Sequence, residues 1–75
     1  GKAEKALEYL EKGFSLNRQK PYFYLHLAEA NLALKRTAEA KKNLDELLKM
    51  QPAPEFLPEF RDAERQAKKL LEKKF

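Results

Sequence analysis

Apolar residues recur at three- and four-residue spacing along most of this chain, and charged residues fill the positions between them. The first such stripe consists of Ala3, Ala6, Leu7, Leu10, Gly13 and Phe14. This period is that of one face of an α-helix, so it predicts an amphipathic helix over residues 3–16. Glycine in a helix interior costs about 1 kcal/mol relative to alanine. We therefore interpret Gly13 as a close packing contact with another helix.

The next stretch, residues 21–35, is apolar on almost every side. It opens with Pro21, which stops the preceding helix and suits the first position of a new one. A helix with hardly any polar face must be contacted from several directions. We expect this second helix to be the centre of the fold.

Two further helices are predicted after a short turn. Thr37 is predicted to cap the N-terminus of the third helix, with Glu39 in its first turn, and prolines in residues 51–54 end it. The fourth helix starts near Leu57, and its apolar face is Leu57, Phe60, Ala63, Ala67, Leu70 and Leu71. Its wide charged back suits the outer edge of a helical stack, so we interpret it as a cap. The prediction is an all-α, single domain over residues 1–75, an up-down array of four helices.

Composition agrees with this fold and excludes several classes of protein. Valine and isoleucine are absent, which disfavours strands, and the absence of cysteine excludes disulfides and thiolate metal sites. The net charge of +4 comes from 16 basic and 12 acidic residues that are interleaved, as on a solvated surface. No apolar run approaches the roughly 18 residues of a membrane span, and no signal peptide is visible. Because the chain begins inside a helical pattern, we expect a piece of a longer protein, and the compartment stays open.

Candidate catalytic or metal-binding residues are few. His26 is the only histidine and Ser15 the only serine, and neither has a partner at the spacing of a zinc site or a catalytic triad. Surface or packing roles are the simpler interpretation of both. The sequence therefore predicts no enzyme, no cofactor, no metal and no small-molecule substrate.

An internal offset of 34 residues places the first helix on the third, with Ala6 over Ala40 and Leu10 over Leu44. This is the period of the tetratricopeptide repeat. Residues 21–54 resemble one full repeat of that family, and the matching positions are Tyr24, Leu27, Ala28, Ala40, Leu44 and Pro52. Residues 1–20 resemble the second helix of a preceding repeat, and residues 55–75 a capping helix.

The chain departs from the family pattern at three places. Asn31 stands where an aromatic residue is usual, and Leu47 where a small residue is usual. The turn at residues 35–36 holds lysine and arginine where glycine and an acidic residue are common. A plain four-helix bundle that shares the spacing is the alternative architecture.

The resemblance implies a protein-interaction module of a larger protein. In this family the first helix of each repeat lines a concave groove that takes a peptide or partner segment. Carried over by position, the groove residues are Tyr22, Leu25, Glu29, Leu32 and Ala33. Some members of the family bind the terminal carboxylate of a partner with basic groove residues. In this chain Leu25 and Glu29 occupy two of the positions where those basic residues would be. The resemblance therefore implies an apolar or basic peptide.

Two other functions remain open at this point. The chain is alternatively a structural cap or oligomerisation module with no peptide ligand, because the far side of the first helix lacks a partner and favours self-association. Nucleic-acid binding through the basic residues 65–69 and 73–74 is less favoured, since acidic neighbours dilute their field.

Overall fold

The computed structural model describes residues 1–12 and 20–75. Within them the chain forms four α-helices and no strand, which confirms the all-α prediction. The helices are α1 (Lys2–Lys12), α2 (Pro21–Ala33), α3 (Thr37–Leu48) and α4 (Leu57–Lys74), with a single 3-10 turn at Pro54–Phe56 before α4. The predicted end of the first helix, the packing role of Gly13 and the position of Ser15 lie outside the described residues.

Helix α2 is the centre of the molecule, as expected from its apolar sequence. It packs against α1, α3 and α4, while α3 also packs against α4. Its buried residues are Pro21, Phe23, Tyr24, Leu25, Leu27, Ala28, Ala30 and Asn31. Since burying apolar area is the main favourable term in folding, α2 is the element on which the other three depend.

A Schellman motif closes α2 and sets the start of α3. The Arg36 N–H donates to the Asn31 carbonyl at 2.8 Å, and the Lys35 N–H donates to the Leu32 carbonyl at 3.0 Å. Arg36 then occupies the N-cap position of α3 and its carbonyl accepts the Ala40 N–H at 3.0 Å. The prediction that Thr37 caps α3 is therefore wrong. The N-cap is Arg36, whose N–H belongs to the Schellman motif, and Thr37 is the first residue inside the helix.

The motif forces Lys35 into the left-handed region, at a φ of 60°. A residue with a Cβ is strained there by roughly 1–2 kcal/mol, whereas glycine is not. We expect Lys35→Gly to stabilise the fold by about 1 kcal/mol, part of the relief being offset by the greater freedom of glycine in the unfolded chain. Urea denaturation measures the change.

Lys49→Gly is the matched control for this prediction. Lys49 follows the last residue of α3 at a φ of −93°, where glycine relieves no strain. A rise in the urea midpoint for both variants, or for neither, would contradict the role assigned to Lys35.

Small residues bring α4 close to the core. Ala63 and Ala67 are fully buried on α4, opposite a core that includes Leu44 and Leu47 of α3, which are also fully buried. Alanine at these positions lets the helix backbone approach its neighbours closely. The apolar face predicted for the last helix is thus its contact surface, except for Leu57, which is 39% exposed.

Asn31 is the one buried polar side chain among the described residues. It is 5% exposed, and its Nδ2 donates to the Asn43 Oδ1 at 2.7 Å, which joins α2 to α3. A buried amide needs such a partner, because an unpaired one costs about 1–3 kcal/mol. The pair therefore makes the polar residue tolerable where the family pattern has an aromatic.

Candidate partner-binding surface

One stripe of α2 remains accessible to solvent. His26, Glu29 and Ala33 are exposed and Tyr22 is half-buried. The spacing of four, three and four residues places these side chains on one side of the helix. We call these four residues the α2 stripe.

The structure distributes the predicted groove residues over two environments. Tyr22, Glu29 and Ala33 lie on the α2 stripe, while Leu32 is half-buried and packs against the core. Leu25 is 2% exposed and belongs to the core, so it offers no surface to a partner. The accessible stripe is narrower than the resemblance implied, because α2 is covered by three neighbouring helices. Binding by the exposed members stays a prediction.

Contacts within the α2 stripe order its side chains. The His26 ring stacks on the Tyr22 ring with centroids 6.2 Å apart and planes at 27°. The His26 Nδ1 lies 3.1 Å from the Glu29 Oε1. Sequence reasoning treated His26 as a surface or packing residue, and its place between Tyr22 and Glu29 follows only from the observed stripe.

Helix α4 holds the N-terminal end of the α2 stripe. The Tyr22 N–H donates to the Glu59 Oε2 at 3.1 Å, and the Tyr22 hydroxyl donates to the Asp62 carboxylate. The N-cap residue Lys20 makes no side-chain cap bond. The Glu59 carboxylate therefore satisfies an N–H that has no partner inside α2, at the end of the helix where the dipole favours negative charge.

Asp62 is fully engaged by its neighbours. Besides Tyr22, it accepts hydrogen bonds from the Arg65 guanidinium and from the Gln66 Nε2, the latter at 2.9 Å. The Tyr22 hydrogen bond, followed by that from Arg65, lowers the pKa of Asp62, and the Asp62 hydrogen bond raises the pKa of Tyr22. A carboxyl whose pKa is lower folded than unfolded contributes stability above its unfolded pKa and loses it as the pH falls through the folded value. At neutral pH the contact is therefore present.

A second stripe on α4 runs beside the first. Asp62, Gln66, Lys69 and Lys73 follow the same spacing of four, three and four residues. A cleft of about 180 Å³ lies between the accessible sides of α2 and α4, and we call it the α2–α4 cleft. Its lining residues are Glu29, Gln66, Lys69, Leu70 and Lys73. From the sequence no residue of α4 was assigned to the site, although the spacing that these residues share with the α2 stripe was a usable signal.

A wider cleft lies on the other side of the α2 stripe, between α1 and α2. It measures about 490 Å³, and its lining residues are Lys2, Ala3, Ala6, Tyr9, His26, Glu29, Ala30 and Ala33. The Tyr9 side chain at its edge is 78% exposed. Self-association through α1 stays a prediction.

A family model described as tetratricopeptide repeat matches residues 1–57. The chain belongs to the tetratricopeptide repeat family. No curated protein and no solved structure gave a match. Tetratricopeptide repeats are in general non-catalytic scaffolds for protein interaction, which is the level of function that this membership supports.

The tetratricopeptide positions named from the sequence lie in the core. Pro52 is half-buried, and the other five are buried, namely Tyr24, Leu27, Ala28, Ala40 and Leu44. They therefore hold the repeat together and leave the α2 stripe free for other uses. The division into residues 1–20, 21–54 and 55–75 stays a prediction.

The part of the chain that the structure describes contains no cluster of histidine and acidic side chains that could hold a metal ion. None of its helices is long and apolar enough to cross a membrane. The described side chains instead form an ordered surface, the α2 stripe, with one cleft on each side of it.

Proposed function

We propose that this chain is a protein-interaction module that binds a peptide or partner segment on the α2 stripe and in the adjoining α2–α4 cleft. Family membership supports interaction with protein in general. The observation that carries the finer proposal is the α2 stripe itself. It is the one solvent-facing side of a helix that three neighbours otherwise cover.

The ordering of the stripe favours binding with little loss of conformational freedom. Tyr22 is held at its backbone by Glu59 and at its hydroxyl by Asp62, and His26 stacks on its ring. A fixed tyrosine offers contact area at low entropic cost, and tyrosine is enriched among the residues that dominate interfaces. Ala33 at the other end of the stripe lets a partner backbone come close.

The test is a pair of matched substitutions assayed with peptides selected from a random library displayed on phage. Ala33→Gln adds bulk on the α2 stripe, and we expect it to weaken binding of the selected peptides about tenfold, which corresponds to about 1.4 kcal/mol. Fluorescence anisotropy measures the affinity. Amide resonances of residues 22–33 are expected to shift on titration.

Ala38→Gln is the control, because Ala38 is an exposed alanine on α3 and receives the same side chain. Equal losses for both variants, or shifts confined to α3, would rule out the α2 stripe as the binding surface.

A further inference from the structure

We infer that the α2–α4 cleft selects extended partner segments with acidic side chains at alternate positions, an inference that rests on the function proposed above. It differs from the apolar or basic peptide that the resemblance implied. That expectation considered α2 alone, whereas the cleft has a second wall from α4.

The α4 wall carries two lysines without an acidic partner. Lys69 and Lys73 are exposed, and neither has a carboxylate within 4.0 Å among the residues that the structure describes. On the same helix, Arg65 is paired with Asp62 and Lys68 lies 4.0 Å from Glu64. The two cations that line the cleft are thus available to a ligand.

The acidic groups of the site are already occupied. The Glu29 Oε1 lies 3.1 Å from the His26 Nδ1, and Asp62 accepts hydrogen bonds from three side chains. The cleft lining contains one carboxylate and two ammonium groups, so its field favours an anion. Complementary charge at an interface of this kind selects partners more than it adds affinity.

The spacing of the two lysines suits an extended segment. Residues four apart on a helix have Cβ atoms about 6 Å apart. In an extended strand, side chains two residues apart lie on the same face and about 7 Å apart. Acidic side chains at every second position can therefore meet Lys69 and Lys73 together, and Leu70 of the cleft lining offers an apolar contact.

The phosphate backbone of a nucleic acid could also bind to Lys69 and Lys73, but the lining of the cleft favours a peptide. Sequence-tolerant binding of single-stranded nucleic acid uses aromatic rings as stacking platforms. The lining of the α2–α4 cleft contains none. RNA is accordingly the competing ligand to test.

The experiment uses three blocked peptides that differ only at alternate positions, which hold glutamate, glutamine or lysine. We expect the glutamate peptide to bind most tightly, and the double variant Lys69→Glu/Lys73→Glu to weaken it about tenfold, since two attractions become repulsions. Lys68→Glu/Lys74→Glu makes the same charge change on the same helix outside the cleft. We expect that control to change affinity by less than about twofold.

Glu29→Gln supplies a test by sign. Removing the carboxylate from the cleft is expected to tighten binding of the glutamate peptide and weaken that of the lysine peptide. Tighter binding of the lysine peptide to the original chain, or equal losses in both double variants, would overturn the acidic preference. Displacement of the glutamate peptide by single-stranded RNA of higher affinity would do the same.

The two proposals fail in different ways. If neutral or basic peptides shift the α2 stripe and ignore Lys69 and Lys73, the acidic preference is wrong and the interaction surface stands. If no library peptide shifts the α2 stripe, the proposed function is wrong, and the inference about the cleft goes with it.

Discussion

Replacing Leu44 by alanine is expected to leave most of the chain unfolded in the absence of denaturant. Leu44 is fully buried on α3, in the core that α2 and α4 share with it. Such a truncation costs about 2–5 kcal/mol, because it removes apolar contacts and leaves a cavity. A single core in a domain of this size supplies only about 3–5 kcal/mol of net stability. The loss therefore matches nearly all that holds the fold together.

Far-ultraviolet circular dichroism during urea titration measures this loss. Leu57→Ala deletes the same atoms at a position that is 39% exposed, so we expect it to cost about 1 kcal/mol or less. A helical signal for Leu44→Ala as strong as that of Leu57→Ala, with the same midpoint, would show that the core is not centred on Leu44.

The helical pattern made this part of the structure predictable. Ala40, Leu44 and Leu47 recur at helical spacing on α3, and all three are fully buried. Burial follows directly from such periodicity, because a helix in water hides its apolar face. The central place of α2 followed from the same reasoning, since a helix without a polar face has to be covered.

The turn between α2 and α3 shows a different limit. Thr37 is a good capping residue in isolation, but the Schellman motif at the end of α2 takes precedence and moves the cap to Arg36. The motif needs one residue in the left-handed conformation. A glycine at position 35 would have indicated this conformation in the sequence, but the residue there is lysine. The preference of threonine for the N-cap position is therefore overridden by a backbone conformation that cannot be recognised from the residue types in this turn.

The candidate site was only partly predictable for a related reason. Tyr22, Glu29 and Ala33 were identified from their positions in the repeat, and the structure leaves them accessible. The contact between Tyr22 and Asp62 joins residues 40 apart in the chain. Periodicity relates neighbours three or four residues apart on one helix and carries no information on how two helices are placed side by side.

That contact makes α4 part of both the fold and the proposed site. Glu59 and Asp62 hold Tyr22, while Lys69 and Lys73, farther along the same helix, form one wall of the cleft. The alanine seam of α4 keeps these groups within reach of α2. A change in the seam should therefore act on binding without touching any residue of the binding surface.

Ala67→Leu is expected to displace α4 from α2 and to abolish binding of acidic peptides. Ala67 is fully buried, and inserting a larger side chain into a packed core costs about 1–3 kcal/mol. The contact between α2 and α3 does not involve α4, so α4 can move outward and relieve the clash while α2 and α3 stay packed together. The α2–α4 cleft then loses the wall that carries Lys69 and Lys73.

Hydrogen exchange at the Tyr22 amide reports the displacement directly. This N–H is protected by its bond to Glu59, and it is expected to exchange faster in the variant while amides inside α3 change less. Lys68→Leu adds leucine one position farther along, where the side chain is exposed, and is expected to leave both exchange and peptide binding nearly unchanged. Faster exchange over all helices in Ala67→Leu would mean that the chain unfolds as one unit. If binding is lost while exchange at the Tyr22 amide is unchanged, the substitution affects the ligand without displacing α4 from α2, which would contradict this prediction.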